Sequence, residues 1–385
     1  MDIIRGRICD VDRDPTAIMR ILTMRTFAAI TLSITLLAPA APAEEAGSWI
    51  NLFDGETLYG WSALGDAQWK VDEGAIAFSE GTGGLLATTA QFADFELTAS
   101  IRLKAGCSSG LAFRAALDGH PTENGSSVLW LSERKDSESP WREINIVARG
   151  KDVTVTLDGK TVEHLAGDRR LGHIALLYHH NEGARVAMKD VRLRPLDLDP
   201  VFNGKDLDGW NIIPGKKSKF KVVDGAINIT DGNGQIETEG VYMNFLLQMD
   251  IISNGKHLNS GVFFRTPVGH FWQGYESQVR NQFGRNDRTR PVDYGTGGNY
   301  GNQAARKVVS SDFEWFTKTI VANSNHTAVW IDGYQVSDFL DTRPVNRGAN
   351  GKVGYVNKAG TINLQGHDPT TDLSFKNILV QQYPE

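Results

Sequence analysis

Two stretches of this chain read almost alike: Asn51-Leu-Phe-Asp-Gly-Glu-Thr-Leu-Tyr-Gly-Trp61 and Pro200-Val-Phe-Asn-Gly-Lys-Asp-Leu-Asp-Gly-Trp210. The likeness continues downstream at a nearly constant spacing. Trp69-Lys-Val-Asp-Glu-Gly-Ala-Ile76 returns as Phe220-Lys-Val-Val-Asp-Gly-Ala-Ile227, and Phe95-Glu-Leu-Thr-Ala-Ser-Ile101 returns as Phe245-Leu-Leu-Gln-Met-Asp-Ile251. Cys107-Ser-Ser-Gly-Leu-Ala-Phe-Arg114 answers Leu258-Asn-Ser-Gly-Val-Phe-Phe-Arg265. Self-similarity of this length in one order implies a duplicated unit, and the 385 residues are enough for two domains of ordinary size.

Within each copy the pattern has period two. Val153-Thr-Val-Thr-Leu157 runs into Asp158-Gly159, and Thr327-Ala-Val-Trp-Ile331 runs into Asp332-Gly333, the signature of strands entering tight turns. No stretch after Ala43 sustains helical spacing. Short strands punctuated by turns predict an all-β chain of two tandem sandwich or jelly-roll domains, at 44–195 and 196–385. The joint, Arg194 to Pro200, is short and holds two prolines, which predicts a fixed mutual pose.

The first 43 residues are read separately. Met24-Arg25, the apolar run Phe27 to Leu37 and Ala-Pro-Ala-Ala-Pro-Ala ending at Ala43 have the layout of a secretory signal peptide. The acidic stretch before Met24 is unlike a signal's start, which places the true start at Met24 or Met19. Periplasmic or secreted localisation is expected, with no membrane span once the leader is removed. The chain carries 40 Lys and Arg against 46 Asp and Glu, a balance that argues against a nucleic-acid partner. Cys9 falls in the leader, so Cys107 stands alone beyond it and no disulfide is available.

The copies diverge after the Gly-x-x-Phe-Arg strand. The second is longer between Arg265 and Trp315 than the first between Arg114 and Trp141, and its extra polar residues are where a rigid sandwich tends to place a binding site. Here the second copy resembles the 3-keto-disaccharide hydrolase domain family, a concanavalin-like (LamG-like) jelly roll. The motifs that carry the resemblance are Phe202 to Trp210, Asn259 to Arg265, Gly274 to Gln278, Thr296-Gly297, Glu314-Trp315, Gly360 to His367 and Phe375 to Ile378. The pattern departs at Asn281 and at Trp315-Phe316. In the first copy Ser108 replaces the Asn of Asn-Ser-Gly, no Gly-Tyr-Glu occurs, and Gly172-His-Ile-Ala-Leu-Leu-Tyr-His179 puts Leu177 where the second has Gln365. That copy reads as degenerate, a scaffold or an accessory sugar-binding unit.

The resemblance implies an oxidised di- or oligosaccharide or glycoside as partner. A sugar oxidised at carbon 3 has an acidic hydrogen on carbon 2, so cleavage needs a base, an acid for the departing oxygen, and donors for an enolate. His367 is the preferred base, and Glu276 the acid or a second base. Asn259, Arg265, Gln278 and Gln365 are assigned to sugar hydroxyls or the oxyanion. Trp272, Tyr275 and Tyr300 are assigned to substrate binding, Trp272 and Tyr275 by stacking on sugar rings as Phe271 can. On period two, Glu276 shares a face with Gln278, and Gln365 with His367. Trp210 and Trp315 are assigned to the core. No cofactor is fixed by the sequence; a divalent cation held by His367, Asp368 and Glu276 is an option without a ligand spacing to support it. The alternative reading is a carbohydrate-binding sandwich without catalysis.

Overall fold

The structure is a computed structural model that describes residues 47–103, 108–118, 124–132, 140–178 and 186–384. The leader, Cys107 and His179 lie outside the described residues. No helix occurs among those described, so none is long and apolar enough to cross a membrane.

Each half is a pair of packed antiparallel sheets. In the first sandwich the larger sheet runs β11 (Lys160–Ala166), β10 (Asp152–Leu157), β9 (Arg142–Arg149), β6 (Phe95–Leu103), β13 (Val186–Pro195), β4 (Ala75–Glu80), β3 (Gln68–Asp72). β1 (Ile50–Asn51) joins it beside β13. The smaller sheet runs β2 (Trp61–Gly65), β5 (Gly84–Thr88), β12 (His173–Tyr178), β7 (Ser108–Ala115), β8 (Ser127–Ser132).

The second sandwich repeats this order. Its larger sheet runs β16 (Lys219–Val223), β17 (Ala226–Thr230), β26 (Asp372–Gln382), β19 (Phe245–Ser253), β22 (Phe316–Asn323), β23 (His326–Ile331), β24 (Tyr334–Leu340), with β14 (Asp199–Pro200) on β26. The smaller runs β15 (Trp210–Ile212), β18 (Gly234–Thr238), β25 (Thr361–Gly366), β20 (Ser260–Thr266), β21 (Tyr275–Val279). The Asp158-Gly159 and Asp332-Gly333 turns have positive φ at both residues, as the right-handed twist of a two-residue hairpin requires.

Alternation delivers the cores. Phe95, Leu97, Ala99 and Ile101 of β6 point inward between the sheets, and Phe245, Leu247, Met249 and Ile251 of β19 do the same in the second half. β19 departs from strict alternation because its other face is covered too. Leu246 packs into the first sandwich's core with Val321, Ala328 and Trp330, and Gln248 exchanges hydrogen bonds with the Ser48 backbone in both directions. Trp330 donates its indole N–H to Asn51 O at 3.0 Å, and Arg306 pairs with Asp54 at 2.8 Å. Of the two tryptophans assigned to the core, Trp210 is buried and bonds Val201 O, whereas Trp315 is 42% exposed with the Lys376 ammonium over its ring. It stands just ahead of β22, outside the strand whose inward residues Phe316 and Ile320 fill the core. The extra length of the second half falls after β21, as segment 280–315, part of which lies along that strand: Gln278 N bonds Gly298 O, and Tyr300 N bonds Glu276 O.

Candidate active site

The outward face of the smaller sheet in the second sandwich is polar in two consecutive rows. Cross-strand register puts Glu237, Asn363, Phe263 and Glu276 in one row, and Gln235, Gln365, Gly261 and Gln278 in the next. Inward-facing neighbours such as Ile236, Leu364, Val262 and Tyr275 fill the core. Gly261 is required here. A Cβ at that position would stand 2.5 Å from Glu276 Oε1, so only glycine leaves room for the carboxylate to lie across β20.

A hollow of about 110 Å³ opens over these rows. Glu276, Gln278 and Gln365 form its floor, Asn259 and His367 stand at the ends of strands, and Trp272, Tyr300 and Lys352 close the sides. It is small against the roughly 300 Å³ of an ordinary small-molecule pocket.

The chemistry of the hollow centres on Glu276. It is 5% exposed, and burial pushes its carboxyl up to about 7, against the pull of Lys352, whose Nζ lies 3.5 Å from Oε2. A carboxyl in that range exchanges protons near neutral pH. Lys352 in turn sits 4.0 Å above the Tyr300 ring. His367 directs Nδ1 at Asp368 Oδ2, 3.3 Å away, which leaves Nε2 as the nitrogen for a ligand. Trp272 stacks on the His367 ring at 6.2 Å and on Phe271 at 4.7 Å, forming an aromatic rim.

Around this pair, side-chain amides are held on one side and open on the other. Asn259 and Gln278 both donate to Asp293, and Gln235 Oε1 accepts from Trp272 N. Asn259 Oδ1, Gln235 Nε2, Gln365 Oε1 and Asn363 Nδ2 are buried with no partner in the protein. A buried polar atom left unsatisfied costs about 1–3 kcal/mol. Four of them facing one sheet surface mark a place where hydroxyl groups or water complete the hydrogen bonding.

Seven of the nine residues singled out from sequence therefore meet in one hollow: His367, Glu276, Asn259, Gln278, Gln365, Trp272 and Tyr300. Two do not. Tyr275 points into the core, because it neighbours Glu276 on a strand and must face the other way. Its hydroxyl donates to Asp341 Oδ2 at 2.7 Å, and its ring stacks on Phe264. Arg265 follows a register shift in β20 with φ of 54°, which turns its guanidinium inward onto the carbonyls of Met243 and Val356. Arg114 of the first sandwich takes the same pose and pairs with Asp94. Both arginines are fold anchors.

Sequence reading passed over Lys352, Asp293, Gln235, Glu237 and Asn363. The β18 and β25 residues had a signal, since Gln235-Ile-Glu237 and Asn363-Leu-Gln365 alternate polar with apolar where the first half reads Leu85-Leu-Ala87 and Ala175-Leu-Leu177. Lys352 and Asp293 lie in irregular segments whose paths no periodicity reveals. Among the described residues no three His, Cys, Asp or Glu side chains cluster as a metal needs, so His367, Asp368 and Glu276 are not a ready ligand set.

A curated 3-keto-disaccharide hydrolase from Bacteroides thetaiotaomicron is 29% identical over 97 residues, 22% of this chain and 33% of that protein, so the chain spans about a third of the relative's length. A Parabacteroides distasonis protein provisionally described as a glycosyl hydrolase is 22% identical over 49% of this chain and 94% of its own, with a TM-score of 0.40. Carbohydrate-binding module CBM66 from Bacillus subtilis is 16% identical over 34% and 94% respectively, with a TM-score of 0.28. The model of the 3-keto-alpha-glucoside-1,2-lyase-like domain matches residues 48–194 and again 197–381. With most of its length matched by that model, the chain belongs to the family of 3-keto-alpha-glucoside-1,2-lyase-like domains.

Proposed function

We propose that the second sandwich cleaves 3-keto-glycosides by elimination followed by hydration. The observation that carries this reading is the convergence of the Glu276 carboxyl and the His367 imidazole on one hollow ringed by buried, unpartnered amides. His367 Nε2 takes the proton from carbon 2, and the electron pair moves into an enolate whose oxygen finds the Lys352 ammonium and amide N–H groups. The enolate collapses to a carbonyl at carbon 3 and a double bond between carbons 1 and 2. The bond from carbon 1 to the departing oxygen breaks, and that oxygen takes the Glu276 proton. Water then adds across the new double bond, hydroxyl to carbon 1 and hydrogen to carbon 2, so the net change is hydrolysis. The Phe271–Trp272 rim offers an apolar face to the departing ring.

The test is incubation with a 3-keto-disaccharide and with its unoxidised parent. The expected result is release of products from the first alone, with turnover reduced at least about 100-fold in His367→Ala and Glu276→Ala and sugar binding largely kept. Binding of either sugar without turnover in the parent protein would instead support the carbohydrate-binding reading. We place this work outside the cytoplasm on the strength of the leader pattern at Met24 to Ala43. A processed protein whose first residue is Glu44 is expected by mass spectrometry, and an unprocessed chain confined to the cytoplasm would contradict it.

A further inference from the structure

Directly behind Glu276 the second sandwich buries a lysine. Lys318 of β22 points between the sheets, fully shielded from solvent, and its Nζ donates to Ser277 O and Ser277 Oγ at 3.1 Å and to Gln278 O at 2.8 Å. All three acceptors belong to the strand whose opposite face carries Glu276 and Gln278. A lysine ammonium has three donors, and here all three are used with no carboxylate in contact. Burial without a paired anion is costly, and it depresses the Lys318 ammonium; the Glu276 carboxylate is the group that opposes this.

The first sandwich supplies the control. By register, Ala99 opposite Ile144 corresponds to Met249 opposite Lys318, and Ala112 opposite Val128 corresponds to Phe263 opposite Glu276. Ser277 corresponds to Leu129. Where the outward acid is Val128, the buried cation is Ile144 and its hydroxyl acceptor is Leu129, both members of the apolar core. The same architecture therefore stands without a lysine at this place. The fold does not need the cation; the half that has the acid has it.

We propose that Lys318 is a positioning residue of the hollow: its ammonium, fixed behind β21, holds the Ser277–Gln278 backbone in register and supplies the charge against which the Glu276 carboxylate is set. The inference rests on Glu276 serving the site as described above. The other charged or titratable groups around Glu276 are Lys352 from the 341–360 segment, Asp293 and Tyr300 from the 280–315 segment, His367 after β25 and Glu237 on β18. Of these charged groups, Lys318 alone is placed behind the sheet, on the side where the Tyr275 and Arg265 side chains also lie. Lys352 is the nearer cation, but it is partly exposed and screened.

The experiment titrates Glu276 directly, by carboxyl-carbon NMR of glutamate-labelled protein, with Glu276→Gln identifying the resonance. Lys318→Met and Lys318→Ile, the second copying Ile144, are expected to move the Glu276 midpoint up by about one unit, and Lys318→Arg to bring it back. An unchanged midpoint in folded Lys318→Ile would overturn the proposal. If neither neutral variant folds, the coupling is read in reverse from the Lys318 side chain by nitrogen-detected NMR. Linkage requires Glu276→Gln to lower the Lys318 midpoint by the same amount, and no change there would equally overturn it. These readings need no substrate. A shifted Glu276 midpoint in a protein that turns nothing over would leave the lysine's role standing and remove the catalytic reading alone.

Discussion

Glu276 is carried from an ordinary carboxylic acid to one that titrates at about 7 by removal from water, and folding and chemistry both feel that shift. A carboxyl whose value rises on folding adds stability below its ordinary range, near 4.5, and loses it as pH rises through the folded value. Glu276→Gln is therefore expected to gain on the parent above pH 7, by up to about 3 kcal/mol near pH 9, with little difference at pH 4. Calorimetry that found the same difference at both pH values would refute this. If Glu276 gives its proton to the departing oxygen, kcat/KM falls as pH rises through 7, and that limb vanishes in the variant. At this scale the sequence was legible where polar residues alternate along strands, as in Glu276 and Gln278. It misled at Tyr275, where adjacency in a motif was taken as adjacency in space, and at Arg265, where a bulge reverses the side chain's direction.

The elements act as rulers for these side chains. β20 and β21 pair so that Gly261 lies opposite Gln278 and Phe263 opposite Glu276, and the missing side chain of Gly261 lets the carboxylate lie diagonally across the strand. Gly261→Ala is expected to cost about 1–3 kcal/mol, and to lower kcat far more than it raises KM, because it displaces the acid rather than the sugar-binding amides. Denaturant unfolding with steady-state kinetics reads both, and a variant of unchanged kcat would contradict the diagonal placement. The Asn-Ser-Gly sequence announces a turn as readily as a site, so the need for this glycine appears only when the facing strand is in place. The 280–315 segment is the opposite case. Its extra length was plain in the sequence, yet its course along β21, set by backbone bonds such as Tyr300 N to Glu276 O, was not.

Across the molecule, the duplicated motifs made two sandwiches legible, and the short proline-bearing joint pointed to a fixed pose. What they did not reveal is that one core crosses the joint. Leu246, Val321, Ala328, Trp330 and Tyr383 of the second sandwich belong to the first's apolar cluster, and Gln381 donates to the Asp94 and Leu196 carbonyls. Those contacts come from the outer face of β19, β22 and β23 and from the end of β26, where an isolated sandwich would show polar residues, so the run of apolar residues on both faces of β19 was the available clue. Arg306, closing the segment that brings Tyr300 to the hollow, is clamped by Asp54 and by the rings of Tyr59 and Tyr334. The first sandwich thereby braces the second.

That brace has itself become committed. Its counterpart of the hollow is paved with Leu85, Ala87, Ala112, Ala175 and Leu177, a cluster that gains solidity from having no charge to shelter. Placing an acid at Val128 alone would strand it over Leu129 and Ile144, with neither cation nor hydroxyl behind it. An acid gained on that face in one substitution therefore finds no support from the layer beneath it, whereas in the second sandwich Ser277 and Lys318 already stand together behind Glu276.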